Sequence, residues 1–262
     1  MPRFAPRWPE LRGLAGAMER WLLPGECLLC HRHNSPGEQD PLVCAACRQR
    51  WSPLPHPQCP RCGQPEMPGI ACRVCAGWPE ALTGVRSAVW LDPPARKAVH
   101  RFKYDGWWRV AEAMAERMRA LVPPGSRAAL VPIPLGASRQ RKRGYNQSAV
   151  LAEFLGRMSG VPVAAAALRR RRDTATQTAL TPEERRANLS GAFVATGTPP
   201  LRPLLVDDVF TTGATLAEAA LALQAAGARE IGGITFARAA RPLADAVAVP
   251  THRPATTHGS RA

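Results

Sequence analysis

Between Leu204 and Leu216 the chain reads Leu-Leu-Val-Asp-Asp-Val-Phe-Thr-Thr-Gly-Ala-Thr-Leu. Two adjacent carboxylates, Asp207 and Asp208, precede a run of hydroxyl-bearing and small residues, Thr211, Thr212, Gly213, Ala214 and Thr215. Backbone N–H groups in such a run can point at one centre, the hydroxyls add donors, and a glycine lets an anion approach the main chain. A phosphate monoester fits that set. The two acids would repel it if they faced it. They are expected instead to accept hydrogen bonds from sugar hydroxyls, directly or around a metal ion.

The flanking residues say how such a site would be positioned. Pro203 to Val206 is short, apolar and β-branched at its end, the pattern of a buried parallel strand. Leu216, Ala219, Ala220 and Leu223 recur at helical spacing, and Gly227 is placed to cap that helix. The polar run then lies beyond the carboxyl end of a strand and at a helix N-terminus. Open α/β sheets bind ligands there, and the helix dipole favours an anion. A second strand, Leu130 to Pro134, runs into Gly136 and then Arg139, Arg141, Lys142 and Arg143. Four cations in five residues beyond a strand end can clamp a pyrophosphate, and the guanidinium forks of Arg139, Arg141 and Arg143 suit that geometry.

The remaining elements read in order. Val85 to Leu91 is a strand. Ala95 to Tyr104 is a helix carrying Arg96, Lys97, His100, Arg101 and Lys103, with Val99 and Phe102 facing inward. Trp107 to Leu121 is a second helix, with Val110, Met114 and Met118 on one face and Pro123-Pro124-Gly125 ending it. Arg169 to Arg172, Asp173, Thr176, Gln177, Thr181, Arg185, Arg186 and Asn188 form a polar, basic stretch that could serve as a flap, a nucleic-acid surface or a solvated loop. Ile231 to Arg238 is the last strand, and residues 241–262 lack periodicity and read as a disordered tail.

Eight cysteines fall into four pairs: Cys27/Cys30, Cys44/Cys47, Cys59/Cys62 and Cys72/Cys75. Two residues separate the members of each pair, so both sulfurs of a knuckle can face one metal. Thirteen residues separate the first two pairs and nine the last two, spacings that suit zinc ribbons. The expected sites are Cys27, Cys30, Cys44 and Cys47, and Cys59, Cys62, Cys72 and Cys75, with a crossed pairing left open. A disulfide framework would need an oxidising compartment, and nothing in the sequence points to export. The stretch is rich in proline and glycine and has little core of its own, so metal binding would be folding energy outright.

Composition sets outer bounds. The chain has 262 residues, 45% hydrophobic, and a net charge of +15, which favours polyanionic partners. No apolar run approaches the roughly 18–20 residues needed to span a membrane. Arg3, Arg7 and Arg12 are followed by no apolar signal core, so a cytoplasmic protein is expected.

The Asp-Asp-Val-Phe-Thr-Thr-Gly-Ala-Thr string resembles the phosphoribosyl pyrophosphate (PRPP) loop of type I phosphoribosyltransferases. Further pieces occur in order: Cys-Pro-Arg-Cys-Gly at 59–63, His-Arg-Phe-Lys-Tyr-Asp-Gly at 100–106, Val-Pro-Ile-Pro at 131–134, and Arg-Gly-Tyr-Asn-Gln at 143–147. Arg172-Asp173-Thr174 follows, with Gln177, Arg185, Arg186 and Asn188. Together they resemble the ComF family over roughly residues 20 to 240. The resemblance implies a double zinc ribbon (20–80) fused to an α/β, type I phosphoribosyltransferase-like parallel-sheet domain (85–240). It also implies a link to DNA uptake in natural transformation. PRPP would bind with Mg²⁺, Val209 to Thr215 forming its loop. Asp207 and Asp208 would contact the ribose and stabilise charge at C1, and the arginines would take the pyrophosphate. The acceptor is not identified. A competing reading is a non-catalytic protein that keeps the PRPP-type site and binds single-stranded DNA or a helicase through its zinc ribbons and arginines, with Trp107 and Trp108 as stacking platforms.

Overall fold

The computed structural model describes residues 25–34, 42–65, 72–123, 128–172 and 190–239. Asp173, Thr176, Gln177, Thr181, Arg185, Arg186 and Asn188 of the basic stretch lie outside them, as does the 241–262 tail.

Four parallel strands make the central sheet: β1 (Leu82–Trp90), β2 (Ala129–Pro132), β5 (Pro203–Phe210) and β6 (Ile231–Arg238), in the order β1-β6-β5-β2. Leu204 to Val206 are buried on both faces, as a central parallel strand requires, and this explains their unbroken apolar run. Two shorter strands, β3 (Leu168–Arg170) and β4 (Phe193–Ala195), pair antiparallel outside that sheet.

Helices cover both faces. Those are α2 (Pro93–Tyr104), α3 (Val110–Met118) and α5 (Gln147–Ser159) on one side and α6 (Ala214–Ala225) on the other. Val99, Phe102, Met114, Met118, Leu151 and Leu155 pack with Val206, Ile234 and Phe236. Leu216, Ala219, Ala220 and Leu223 pack with Val85, Val131, Leu205 and Ile231. The alternation of Leu204 and Val206 against Leu205 is the period-2 geometry of a strand whose two faces join different layers.

Several boundaries differ from the sequence reading. The strand expected to end at Val206 continues to Phe210, because Asp207 pairs with Thr235, Val209 with Ala237 and Phe210 with Arg238. The helix expected from Trp107 starts at Val110; Gly106 turns the chain at φ +74 and Trp107–Arg109 form the approach. It closes as a 3₁₀ turn over Arg119–Leu121. The arginine-rich turn after β2 is a short helix, α4 (Ala137–Arg143), closed by Gly144 at φ +83. Helix α6 begins at Ala214 and has Ala226 as its C-cap, with Gly227 at φ +104 one residue beyond.

The cysteine-rich region lies against this core on both faces. Cys27, Cys44, Cys47, Leu42 and Trp51 share the cluster of α2, α3 and α5; a short helix, α1 (Ala45–Gln49), carries Cys47. Cys59, Cys62, Cys75 and Trp78 share the cluster of α6. Each ribbon therefore borrows apolar cover from the sheet domain, which compensates for the little core it has alone.

Candidate functional site

Asp207 and Asp208 end up side by side near the carboxyl end of β5, and side chains from two other segments hold them. Ser148, in the first turn of α5, donates from Oγ to Asp207 Oδ1 at 2.9 Å, and the Asp208 N–H donates to the same oxygen at 2.9 Å. Lys103, in the last turn of α2, brings Nζ to 2.7 Å from Asp208 Oδ2. Asp208 is only 4% exposed, so this ion pair is well shielded from solvent. Burial, reinforced by the neighbouring Asp208 charge, pushes the Asp207 carboxyl up to about 7 against the opposing pull of Lys103 and Ser148. Burial works against the Lys103 charge, but Asp208 overrides it and holds the ammonium above its usual value. The Asp207 carboxyl thus lies close to its own midpoint at neutral pH.

The segment 143–147 builds the support. Asn146 caps α5, accepting from Ser148 N, and its Nδ2 donates to Ile133 O at 3.0 Å. That bond anchors the chain leaving β2, whose Ile133 N–H donates to Val206 O at 3.0 Å. Tyr145 lays its ring 5.8 Å from that of Phe102 and donates its hydroxyl to Phe102 O, one residue before Lys103. The strand ends of β2 and β5, the start of α5 and the end of α2 therefore meet around the two acids.

Beyond β5 the chain turns through Thr211 and Thr212 to Gly213, which caps α6 at φ +79. Thr211 is exposed, Thr212 and Thr215 are half-buried, and Ala214 N faces Thr212 Oγ1 at 3.4 Å. The N-terminus of α6, a twelve-residue helix, thus opens beside the acids with hydroxyls around it. Gly213 is required twice over. Its φ is positive, and a Cβ there would stand 2.4 Å from Trp78 Cζ2. Val209 and Phe210 belong to the strand; the Phe210 ring is sealed in the core.

The three arginines of the expected pyrophosphate clamp all lie on α4 but not on one face. Arg139 and Arg143, four residues apart, share a face and are half-buried, with the Arg143 guanidinium 5.3 Å from the Tyr104 ring centre; Arg141 points elsewhere and is exposed.

The cysteines form two groups of four, Cys27, Cys30, Cys44 and Cys47, and Cys59, Cys62, Cys72 and Cys75, each with its sulfurs within 4.8 Å of one another. The uncrossed arrangement is the one adopted. Sulfur separations are 3.8 Å for Cys27–Cys47, 3.7 Å for Cys30–Cys44, 3.7 Å for Cys59–Cys75 and 3.5 Å for Cys62–Cys72. A tetrahedral zinc with Zn–S near 2.3 Å sets its sulfurs about 3.8 Å apart, so both groups fit that ion. The backbone N–H groups of Leu29 and Cys44 point at Cys27 Sγ, each at 3.4 Å, the outer-shell support a bound thiolate needs. Burial pushes the Cys47, Cys62 and Cys75 thiols up, the last to about 11, so binding must release protons.

A model of the double zinc ribbon domain matches residues 18–76. Over 222 residues the chain is 32% identical to the DNA utilization protein YhgH of Salmonella typhimurium, covering 80% of this chain and 95% of that protein. It is 30% identical over 234 residues to the competence protein ComFC of Bacillus subtilis, covering 81% and 94%. With the competence protein F of Haemophilus influenzae it shares 30% identity over 210 residues, covering 75% and 90%. The chain belongs to the ComF family.

The ComF-like strings that looked scattered in the sequence converge in space. His100–Gly106 supplies Lys103 and the Phe102 carbonyl, Arg143–Gln147 supplies Tyr145 and Asn146, and both serve Asp207-Asp208. Two contributors to the site, Lys103 and Ser148, had no assigned role in the sequence reading. Lys103 carried a signal: it stands four residues after the buried Val99, so it lies on the apolar face of α2 where a solvated lysine would not be placed. Ser148 carried none, since its partner is 59 residues away. Among the described residues no helix is long and apolar enough to cross a membrane.

Proposed function

We propose that this ComF-family chain binds PRPP with Mg²⁺ through a phosphoribosyltransferase-type site and serves in DNA uptake during natural transformation. The observation that carries the reading is the acidic pair at the end of β5 with the Thr211–Gly213 turn and the α6 N-terminus directly after it. The names of the ComFC and competence protein F relatives support the biological setting. In this reading Thr211 to Thr215 donate to the 5′-phosphate, and Asp207 and Asp208 accept from the ribose hydroxyls. Their negative charge stabilises the cation that develops at C1 as the C1–O bond to pyrophosphate breaks and its electrons leave with the pyrophosphate. A nucleophile then forms the new bond to C1. Arg139 and Arg143, on α4, would take the leaving pyrophosphate, and Mg²⁺ would enter with PRPP. Catalysis by such a site is positioning and electrostatics. The reading divides the chain into a double ribbon, residues 20–80, with two structural zinc ions, and a transferase-like domain, residues 85–240.

The test is calorimetric titration of PRPP and Mg²⁺ into the zinc-loaded chain beside an Asp207→Asn/Asp208→Asn variant. Binding by the parent that falls at least tenfold in the variant is expected. A folded, zinc-replete parent that binds nothing overturns the reading.

A second reading has one observation of its own. Helix α2 lines an open depression with Arg96, Lys97, His100 and Arg101, together with Asp105, which pairs with Arg101 at 2.8 Å, and Tyr104 is 67% and Trp108 48% exposed nearby in sequence. Cations beside exposed aromatic rings suit single-stranded DNA, whose binding would weaken steeply with salt. Trp107 packs against the core and is not part of that surface.

A further inference from the structure

We propose that the second zinc ribbon is a working part of the phosphate loop, with Arg238 and Trp78 as the positioning residues that tie metal binding at Cys59, Cys62, Cys72 and Cys75 to the geometry of Thr211–Thr215. The inference rests on the phosphosugar reading of that loop for its ligand, but not for the mechanical link itself.

Two routes connect the ribbon to the loop. The first runs through Arg238, the last residue of β6, which is 1% exposed. A buried arginine demands partners, and three nitrogens of this one face the ribbon: Nη1 donates to Cys62 O at 2.8 Å and Nε to Gln64 Oε1 at 3.0 Å, while Nη2 lies 4.0 Å from Cys62 Sγ. The other face of the same guanidinium lies 4.1 Å from the Phe210 ring centre. Phe210 is the residue immediately before Thr211. One planar cation is therefore shared between a metal-ligand knuckle and the base of the loop.

The second route runs through Arg61, which lies between Cys59 and Cys62. Its guanidinium donates to four carbonyls, those of Leu82, Cys75, Trp78 and Pro79, at 3.3, 3.2, 3.2 and 2.7 Å. This pins the chain that leaves Cys75 and sets Trp78 against the loop. The Trp78 ring meets Phe210 at 5.8 Å and lies so close to Gly213 that no Cβ fits between them. Cys75 is thus three residues from the ring that forms the floor of the Gly213 turn.

The first ribbon docks elsewhere. Its links are Arg48 to Glu116 on α3 at 2.7 Å, Lys97 to Leu29 O, and Trp51 edge-on to Phe236 at 4.9 Å. These brace the α2–α3 face. The two metal sites are accordingly unequal: one is a brace, the other a wall of the loop. Coupling of this kind is reciprocal, so a ligand on the loop must tighten binding of the second metal by the factor that metal tightens the ligand.

The experiment uses the full zinc-loaded chain with two readouts. In ligand-free protein, amide exchange at Thr211–Thr215 and zinc release to a chromophoric chelator are compared for the parent, Arg238→Met, Trp78→Phe and the first-ribbon control Arg48→Ala. Arg238→Met is expected to speed exchange in the loop and release of one of two zinc ions at least tenfold. Trp78→Phe should speed exchange alone, and Arg48→Ala neither. Ribose 5-phosphate is then added as the phosphate probe; it should slow release of one zinc ion in the parent and bind at least tenfold more weakly to Arg238→Met. Unchanged loop exchange in Arg238→Met and Trp78→Phe overturns the coupling, whatever the probe does. Should Arg238→Met not fold, Trp78→Phe and protection of a single zinc ion by the probe in the parent decide it. Coupled changes in a parent that binds neither ribose 5-phosphate nor PRPP would keep the mechanical link and remove the phosphosugar reading.

Discussion

Replacing Lys103 by methionine keeps an unbranched apolar stem and removes the charge 2.7 Å from Asp208. At an effective dielectric near 20 the gross attraction at that distance is about 6 kcal/mol. Desolvation of both ions offsets much of it, and stripping one partner from a buried pair typically costs about 3–5 kcal/mol. For a domain of this size that is a fall in Tm of roughly 6–20 °C. The pH dependence is the sharper test. Burial and Asp208 already push Asp207 up to about 7, and Lys103 is the cation that opposes them. Without it Asp207 holds its proton to higher pH. A carboxyl whose folded-state value lies above its unfolded value contributes stability at low pH and loses it as pH rises through the folded value. The deficit of Lys103→Met relative to the parent must therefore grow between pH 5.5 and pH 8. Thermal melts of zinc-saturated protein at the two pH values read this directly. A Tm loss below about 2 °C at pH 8, or the same loss at both, would refute the claim that Lys103 neutralises a buried acid.

Other expectations follow from the same contacts. Gly213→Ala meets both a positive φ and the Trp78 ring, whereas Gly197→Ala at φ +67 meets nothing within 4 Å; urea melts should show Gly213→Ala less stable by about 1–3 kcal/mol more, and equal losses would argue against the close approach. Ser148→Ala removes a hydrogen bond that favours the Asp207 carboxylate, so stability should fall by roughly 1.5–3 kcal/mol near pH 8. The Asp207 carboxyl resonance should then titrate above the parent's value, and an unchanged midpoint would remove Ser148 from the site.

The parts of this molecule that local chemistry specifies were readable from the chain. The cysteine knuckles follow from two-residue spacing, and β5 and α6 follow from an apolar run and a 3.6-residue period. What local chemistry does not specify was read short or missed. Asp207 to Phe210 look like loop residues by composition, yet they extend the strand because β6 presents matching partners as far as Arg238. The arginine run after β2 reads as one clamp, but folding it into α4 sends Arg141 away from Arg139 and Arg143. Arg238 was read as the end of a strand; that it is buried against Cys62 follows from a contact across 176 residues that no pattern near it encodes.

The contacts that local pattern leaves unspecified share a physical source. Lys103, Ser148, Tyr145 and Arg238 are all polar groups whose partners come from another element: Asp208, Asp207, the Phe102 carbonyl and the Cys62 carbonyl. Burying such groups unpaired is unfavourable, so each must be matched in three dimensions, and the match constrains two distant stretches at once. Here those constraints meet at one place, the carboxyl end of β5. Acids at a strand end could be held apart by solvent alone. A buried lysine and a capped helix hold the acids, and a ribbon-anchored arginine stacks on Phe210 at the base of the turn that follows. Buried, matched polar contacts thus cluster at the acids and at the base of the Thr211–Gly213 turn, and a fully matched network of this kind rigidifies the backbone it joins.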